Sequence, residues 1–410
     1  MRARTSVVGA LLLVLVVAGA LVWRPWGGDA PADETEASRP TVSLGLEASA
    51  RVESIQRAGS LDELVEAAGD TAEAAAWARR TWAAMQALDV REVALRYVRG
   101  ADGELGSDGT MRAAVDVAWT PGPRSGLPSR ETWSTQVALT IRPVGDGVAV
   151  EGAAQDRGPI PLWLAGDLAV DRSGGVTTVA VDGGAPTLDV RRWTRTAARE
   201  VRGLATARQQ LVVVVPPDAA TAAALVGQEP DAIAQVAGAT TTLDASEEAG
   251  GPTAVVVNPE AFAPMDDRAA QVVMTHEAVH VVTGAATSVA EPWVVEGFAD
   301  WVALRDDTAP LDVSAGQGLE AVRADGAPAA LPSSDDFSSA AHGLGATYEL
   351  AWLVFRVLDE RHDDAAIERF YRACLGGAGV DAALRSELGT TTERLTRDWR
   401  SFLTQAARTR

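Results

Sequence analysis

Lysine is missing from this sequence of 410 residues, cysteine occurs once and histidine four times. Without lysine, arginine is the only strong cation, and the formal net charge is −20 with the acidic excess spread along the chain. That balance argues against a nucleic-acid partner, which needs a basic face to meet phosphates. The single cysteine, Cys374, excludes an internal disulfide framework and any cysteine-rich metal cluster. In "AIERFYRACL" it reads as a small apolar residue of a helix. What is present is an ordinary globular mixture, 47% hydrophobic and 22% charged, with length enough for two or three domains.

One apolar run is long. "SVVGALLLVLVVAGALVW" (6–23) contains no charge and has the length of a membrane-spanning helix, with Arg2 and Arg4 on the side expected to stay in the cytoplasm. The expectation is a single-pass chain anchored to the membrane through residues 1–23, with everything after them extracytoplasmic. A cleaved signal peptide is the rival, because "AGA" (18–20) has the small-residue pattern of a cleavage site; the chain would then be secreted. A lipid-acceptor cysteine is lacking, which excludes a lipoprotein anchor. The proline-, glycine- and acid-rich stretch 24–40 reads as an extended tether.

The remainder predicts an α+β chain in two parts. Residues 61–88 are rich in alanine and glutamate at helical spacing, after which the texture changes to alternation, as in "TMRAAVDVAWT" and "ETWSTQVALTIRPVGDGVAVEGA". Trp133, Thr135, Val137, Leu139 and Ile141 fall on one face, and "GDG" (145–147) is a turn between strands. A further hairpin in 159–184 places the end of this small helix-plus-antiparallel-sheet domain at 187, giving 41–187. In outline that domain resembles the cone-shaped nuclear-transport-factor or cystatin type of fold. It holds no histidine and no cluster of polar residues, and reads as a spacer or docking domain. Residues 188–410 begin with mixed segments, including the strands "QQLVVVVPP" and "PTAVVVNP", and end in amphipathic helices with a loop at 306–343.

Chemistry concentrates in "QVVMTHEAVHVVTG" (271–284). A helix starting at Asp266 or Asp267 and stopped by Gly284 carries valines on most sides, as a buried helix does. His276 and His280 project from one face of it, one turn apart, and can share a metal, while Glu277 is turned where it can accept a proton from water. The competing reading is a buried helix whose two histidines are simply hydrogen-bonded. A tetrahedral catalytic zinc takes a third protein ligand. "EPWVVEGFADW" (291–301), with Pro292 at the first helical position, supplies Glu296 and, one turn on, Asp300. A short loop folds this second helix beside the first, so that Asp300 can accept the free N–H of a ligating histidine.

"HEAVH" followed by "EPWVVEGFADW" resembles the gluzincin zinc metallopeptidases, and more narrowly the membrane-anchored bacterial proteins of the peptidase MA-like superfamily. The matching segments lie between His276 and Trp301, and a looser likeness runs from 188 to the end. The resemblance implies a zincin-like domain over 188–410 with one zinc ion held by His276, His280 and Glu296. It also implies Glu277 as general base, Asp300 as partner of His276, and Tyr348 as a donor to the oxyanion, with His342 as the second choice for that donor. Two departures stand out. Only 15 residues separate His280 from Glu296, fewer than in the thermolysin and aminopeptidase branches, and no Gly-x-Met-Glu-Asn segment is present. Thr283 and Ala286 stand where a metzincin needs glycine and histidine. His362, in "DERHDD", reads as a surface residue at a helix end. The implied activity is zinc-dependent hydrolysis of peptide or protein substrates. The alternative is a catalytically inactive zincin-fold binding or scaffold protein of the cell envelope, and oligomeric state is open.

Overall fold

The alternating segments form two sheets, and the second of them joins the two parts of the chain. The computed structural model describes residues 38–409, apart from 101–104, 129–131, 184–187, 206, 208–209, 235, 245–250 and 338–342. Strands β1 (Val90–Gly100), β2 (Met111–Pro121), β3 (Trp133–Val144) and β4 (Gly147–Arg157) pair in sequence order as an antiparallel meander. Its register sets Trp119 opposite Trp133 and Val115 opposite Val137, so the inward residues of the alternation meet across strands. Helices α1 (Ser38–Arg57), α2 (Leu61–Ala68) and α3 (Ala72–Ala87) cover one face of this sheet. Ser60 and Thr71 cap α2 and α3 by accepting the backbone N–H of Glu63 and Ala74.

The second sheet has the order β5-β6-β7-β9-β8, with β5 (Leu168–Ser173), β6 (Val176–Val181), β7 (Leu211–Val215), β8 (Gly238–Thr242) and β9 (Thr253–Val257). β6, β7 and β9 run parallel, and β5 and β8 close the edges antiparallel. Every residue of β7 and β9 is buried, which explains their unbroken apolar runs: the sheet is covered on both faces. The short helix α4 (Leu162–Ala165) precedes it, and α5 (Leu188–Val201) crosses from β6 to β7. Helices α6 (Ala219–Val226), α7 (Pro230–Ile233) and α8 (Pro259–Phe262) fill the later connections. The rest is helical: α9 (Asp267–Thr283), α10 (Pro292–Ala303), α11 (Leu311–Ser314), α12 (Gly316–Asp325), α13 (Leu344–Asp359), α14 (Asp364–Leu375), α15 (Val380–Leu388) and α16 (Thr392–Ala406).

Two expectations are corrected. The hairpin at 168–181 does not belong with the meander, because β6 pairs in parallel with β7, Val176 opposite Leu211. Nor do the two parts have separate cores. Val212, Val214 and Val256 of the second sheet share one core with Trp119, Trp133 and Trp163, while Val213, Val215, Val255 and Val257 face the core of the C-terminal helices. Arg172 of β5 ties the halves together by donating to the carbonyls of Ala87 and Ser125, at 2.6 and 2.9 Å. The second correction concerns the membrane. The apolar run 6–23 lies outside the described residues, and among the described residues no helix is long and apolar enough to cross a membrane. The longest of them, α1, has 20 residues but carries Glu47, Arg51, Glu53 and Arg57. Among the described residues the α+β fold of two sheets contains no membrane-spanning helix, and the single-pass, extracytoplasmic placement is withdrawn.

A fragment starting at 188 lacks β5 and β6 and uncovers Val212, Val214 and Val256, each worth about 1.5–3 kcal/mol when buried. It is expected to show no cooperative thermal transition by circular dichroism, whereas a fragment of residues 38–410 unfolds cooperatively. A sharp melt from 188–410 would refute the shared core.

Candidate metal centre

The site is built on α9. Asp266 starts the helix by accepting the backbone N–H of Ala269 at 2.8 Å, and Gly284 ends it in the left-handed conformation, φ 72°. Every residue from Val273 to Thr283 is buried, so the histidines sit on a helix enclosed by protein. After a 3₁₀ turn at Ala285–Thr287, Pro292 opens α10, which returns alongside α9. Gly297 lets α10 approach α13 closely: a Cβ there would lie 2.6 Å from the carbonyl oxygen of Ala351 and 2.8 Å from the Phe355 ring. The neighbouring Glu296 is thereby directed toward α9.

His276, His280 and Glu296, the three residues expected to hold a metal, converge, and their ligand atoms all lie within 4.8 Å of one another. His276 Nε2 is 2.8 Å from His280 Nε2 and 3.1 Å from Glu296 Oε2, and His280 Nε2 is 3.4 Å from the same carboxylate oxygen. For a tetrahedral ion with bonds of about 2.0–2.1 Å, ligand atoms stand roughly 3.3 Å apart, so small shifts bring all three into reach of one cation. Asp300, as expected, accepts the Nδ1–H of His276 at 2.7 Å, leaving Nε2 to face the cluster. His280 Nδ1 is buried and has no hydrogen-bond partner among the described residues.

Electrostatics agree with the geometry. Burial opposes a charge on His276, but Asp300 and then Glu296 outweigh it and hold its pKa well above the usual value. Burial lowers that of His280. Burial also works against a charged Glu296, yet His280 and His276 bring its carboxyl down to about 2. The carboxylates that favour a proton on His276 would equally stabilise a cation bound in its place, which is the behaviour of a metal-binding donor set. The residues present therefore fit a divalent ion.

Glu277 lies beneath the edge strand β8. Thr240 Oγ1 donates to its Oε2 at 2.5 Å, its Oε1 is buried without a partner among the described residues, and burial pushes its pKa up to about 8. Tyr348 comes from α13, its ring centroid 6.4 Å from that of His276. Burial, with Glu296 and Glu277 nearby, holds its phenol well above the usual pKa. His342 lies outside the described residues. His362 is half-buried just beyond the C-terminal end of α13, and Cys374 is buried, its thiol pushed up to about 12 by burial.

Sequence reasoning passed over several contributors. Thr240 gave no signal in "GATTT", since three consecutive threonines do not reveal which faces the histidine helix. Thr275 donates to Glu200 of α5 at 2.5 Å, bracing α9 from behind. Phe337 meets the Tyr348 ring edge-on, centroids 5.3 Å apart. Glu349 accepts the backbone N–H of Gly318 at 2.6 Å and is pushed up to about 7 by burial. No protein-family model matches the chain and no curated protein matches it.

Removing Glu296 takes away an anionic donor, and Asp300→Asn takes only the negative charge from the partner of His276. Titration with zinc is expected to give at least a 100-fold loss of affinity for Glu296→Ala and about 10–100-fold for Asp300→Asn. Unchanged affinity in both variants would show that the cluster is not where zinc binds. Gly297→Ala forces α10 and α13 apart and is expected to lower stability by about 1–3 kcal/mol, read as a lower melting temperature.

Proposed function

We propose that the chain is a zinc-dependent peptidase of gluzincin type, acting on peptides or proteins. The observation that carries this reading is the convergence of two imidazoles and a carboxylate from neighbouring helices, beside a second carboxylate, Glu277, with one oxygen unengaged. His276, His280 and Glu296 would hold the ion; zinc suits a set of two histidines and a carboxylate, and when bound supplies Lewis acidity toward water and a carbonyl.

The chain's own groups account for the proton movements. Glu277 is placed to act as the base: it is next to His276 on the metal helix, and one of its carboxyl oxygens has no hydrogen-bond partner among the described residues. Its Oε1 would take a proton from the attacking water as the new C–O bond forms, and then pass that proton to the leaving amine as the carbonyl re-forms and the peptide C–N bond breaks. Tyr348 stays protonated because burial holds its pKa high, and its O–H can donate to the oxyanion that develops on the carbonyl. Asp300 keeps the His276 ring in one tautomer and one direction.

A second reading, a zincin-like binding protein without catalysis, draws support from burial. Glu277 is 0% exposed, and a substrate has to reach it. The two readings part on one measurement. The zinc-loaded protein is expected to cleave members of a mixed peptide library, and Glu277→Gln to lose at least 1,000-fold in kcat/KM while keeping its zinc. A chelator is expected to abolish cleavage and lower the melting temperature, since zinc at 100 times its dissociation constant stabilises the folded state by about 2.7 kcal/mol. Stoichiometric zinc with no cleavage by either protein would decide for the binding reading.

A further inference from the structure

β8 lies directly on the stem of Glu277. Gly238 and Thr240 are two residues apart and so share a face of the strand. A Cβ on Gly238 would come 3.2 Å from Glu277 Cγ and 3.3 Å from Val273 Cγ1, so the strand meets this turn of α9 with no room to spare. Thr240 is 0% exposed. Its hydroxyl has one hydrogen and two acceptors within reach on the same residue, the carboxyl Oε2 at 2.5 Å and the backbone carbonyl at 3.2 Å. The shorter contact takes the hydrogen. A β-branched side chain in a strand has few rotamers, so this donor is held in place.

We propose that Thr240 is the positioning residue for Glu277, fixing its carboxyl so that Oε2 is occupied and Oε1 alone is left to move the proton. The inference rests on the peptidase reading for its consequence in catalysis, though not for its geometry. Two features set the oxygens apart: Oε2 is satisfied by the chain itself, and Oε1 is buried with no partner among the described residues. A buried polar oxygen costs free energy unless a hydrogen-bond partner arrives. Reacting water and the leaving amine would be such partners. Thr240 touches neither, and acts entirely through Glu277.

The test compares zinc-loaded parent, Thr240→Val, Thr240→Ser, Glu277→Gln and the Thr240→Val/Glu277→Gln pair, by zinc content, crystal structure and kinetics on the library peptide cleaved best. Thr240→Val is expected to keep full zinc, to lose the single orientation of the Glu277 carboxyl, and to lower kcat by about 10–100-fold with KM little changed. Serine restores both the orientation and the rate. Adding the valine to Glu277→Gln brings no further loss, because the two residues act as a unit. If the valine variant does not fold, Thr240→Ala removes the same hydroxyl without adding a methyl group. A carboxyl that keeps its parent orientation without the hydroxyl overturns the proposal, as does loss of zinc in the valine variant, which would make Thr240 a structural support of the metal ligands. A parent that holds zinc but cleaves nothing counts against the peptidase reading instead, and the crystal structures then decide on Thr240 alone.

Discussion

The centre depends on burying ionisable groups that can exist there only in each other's company. His276, Glu277 and His280 are wholly enclosed, and Glu296 nearly so. Taken singly, each would be driven to its neutral form, because removing a charge from water costs several kcal/mol. Held together, the His276 imidazole and the Glu296 carboxylate support one another's charge while burial still pushes His280 and Glu277 toward their neutral forms, and the separation of the two imidazoles and the Glu296 carboxylate is already close to that of ligands around one ion. The opposed shifts of the groups record the same fact, with the Glu296 carboxyl drawn down and the His276 imidazole drawn up.

Such proximity requires backbone control, and the helices supply it in layers. α9 is braced from one side by α5 through Thr275 and Glu200, and from the other by α10, which is itself pressed onto α13 at Gly297. Aromatic contacts extend the bracing outward: Phe298 of α10 stacks on Tyr371 of α14 with ring centroids 3.7 Å apart, and the Tyr371 hydroxyl meets that of Thr283 at the end of α9. The ligands are therefore carried by elements whose own positions are set by large buried side chains, not by loops.

How much of this could be read from the residues depends on whether the signal was local. His276 and His280, four apart, and Glu296 and Asp300, four apart, are helix-face patterns, and the convergence expected from them matches the geometry. The caps Asp266 and Gly284 were equally visible. Pairing between distant strands was not: nothing in "GGVTTVAV" distinguishes an antiparallel hairpin of the first sheet from a strand that will lie parallel to residues 211–215. The same limit hid Thr240, whose partner is 37 positions away. The apolar run at the N-terminus speaks only for itself, and among the described residues no helix repeats its character.

Consecutive residues of β7 point into different interiors. Val213 and Val215 look toward the histidine helix, Val212 and Val214 toward the tryptophans of the meander. With no wet side to absorb a change of volume, this sheet acts as a party wall between the two halves. A bulkier side chain on either side has to be accommodated by moving the wall, and β8, the edge of that wall, is the strand that rests on Glu277. The small N-terminal sheet thus bears on that carboxylate by shape, through the packing of the wall they share.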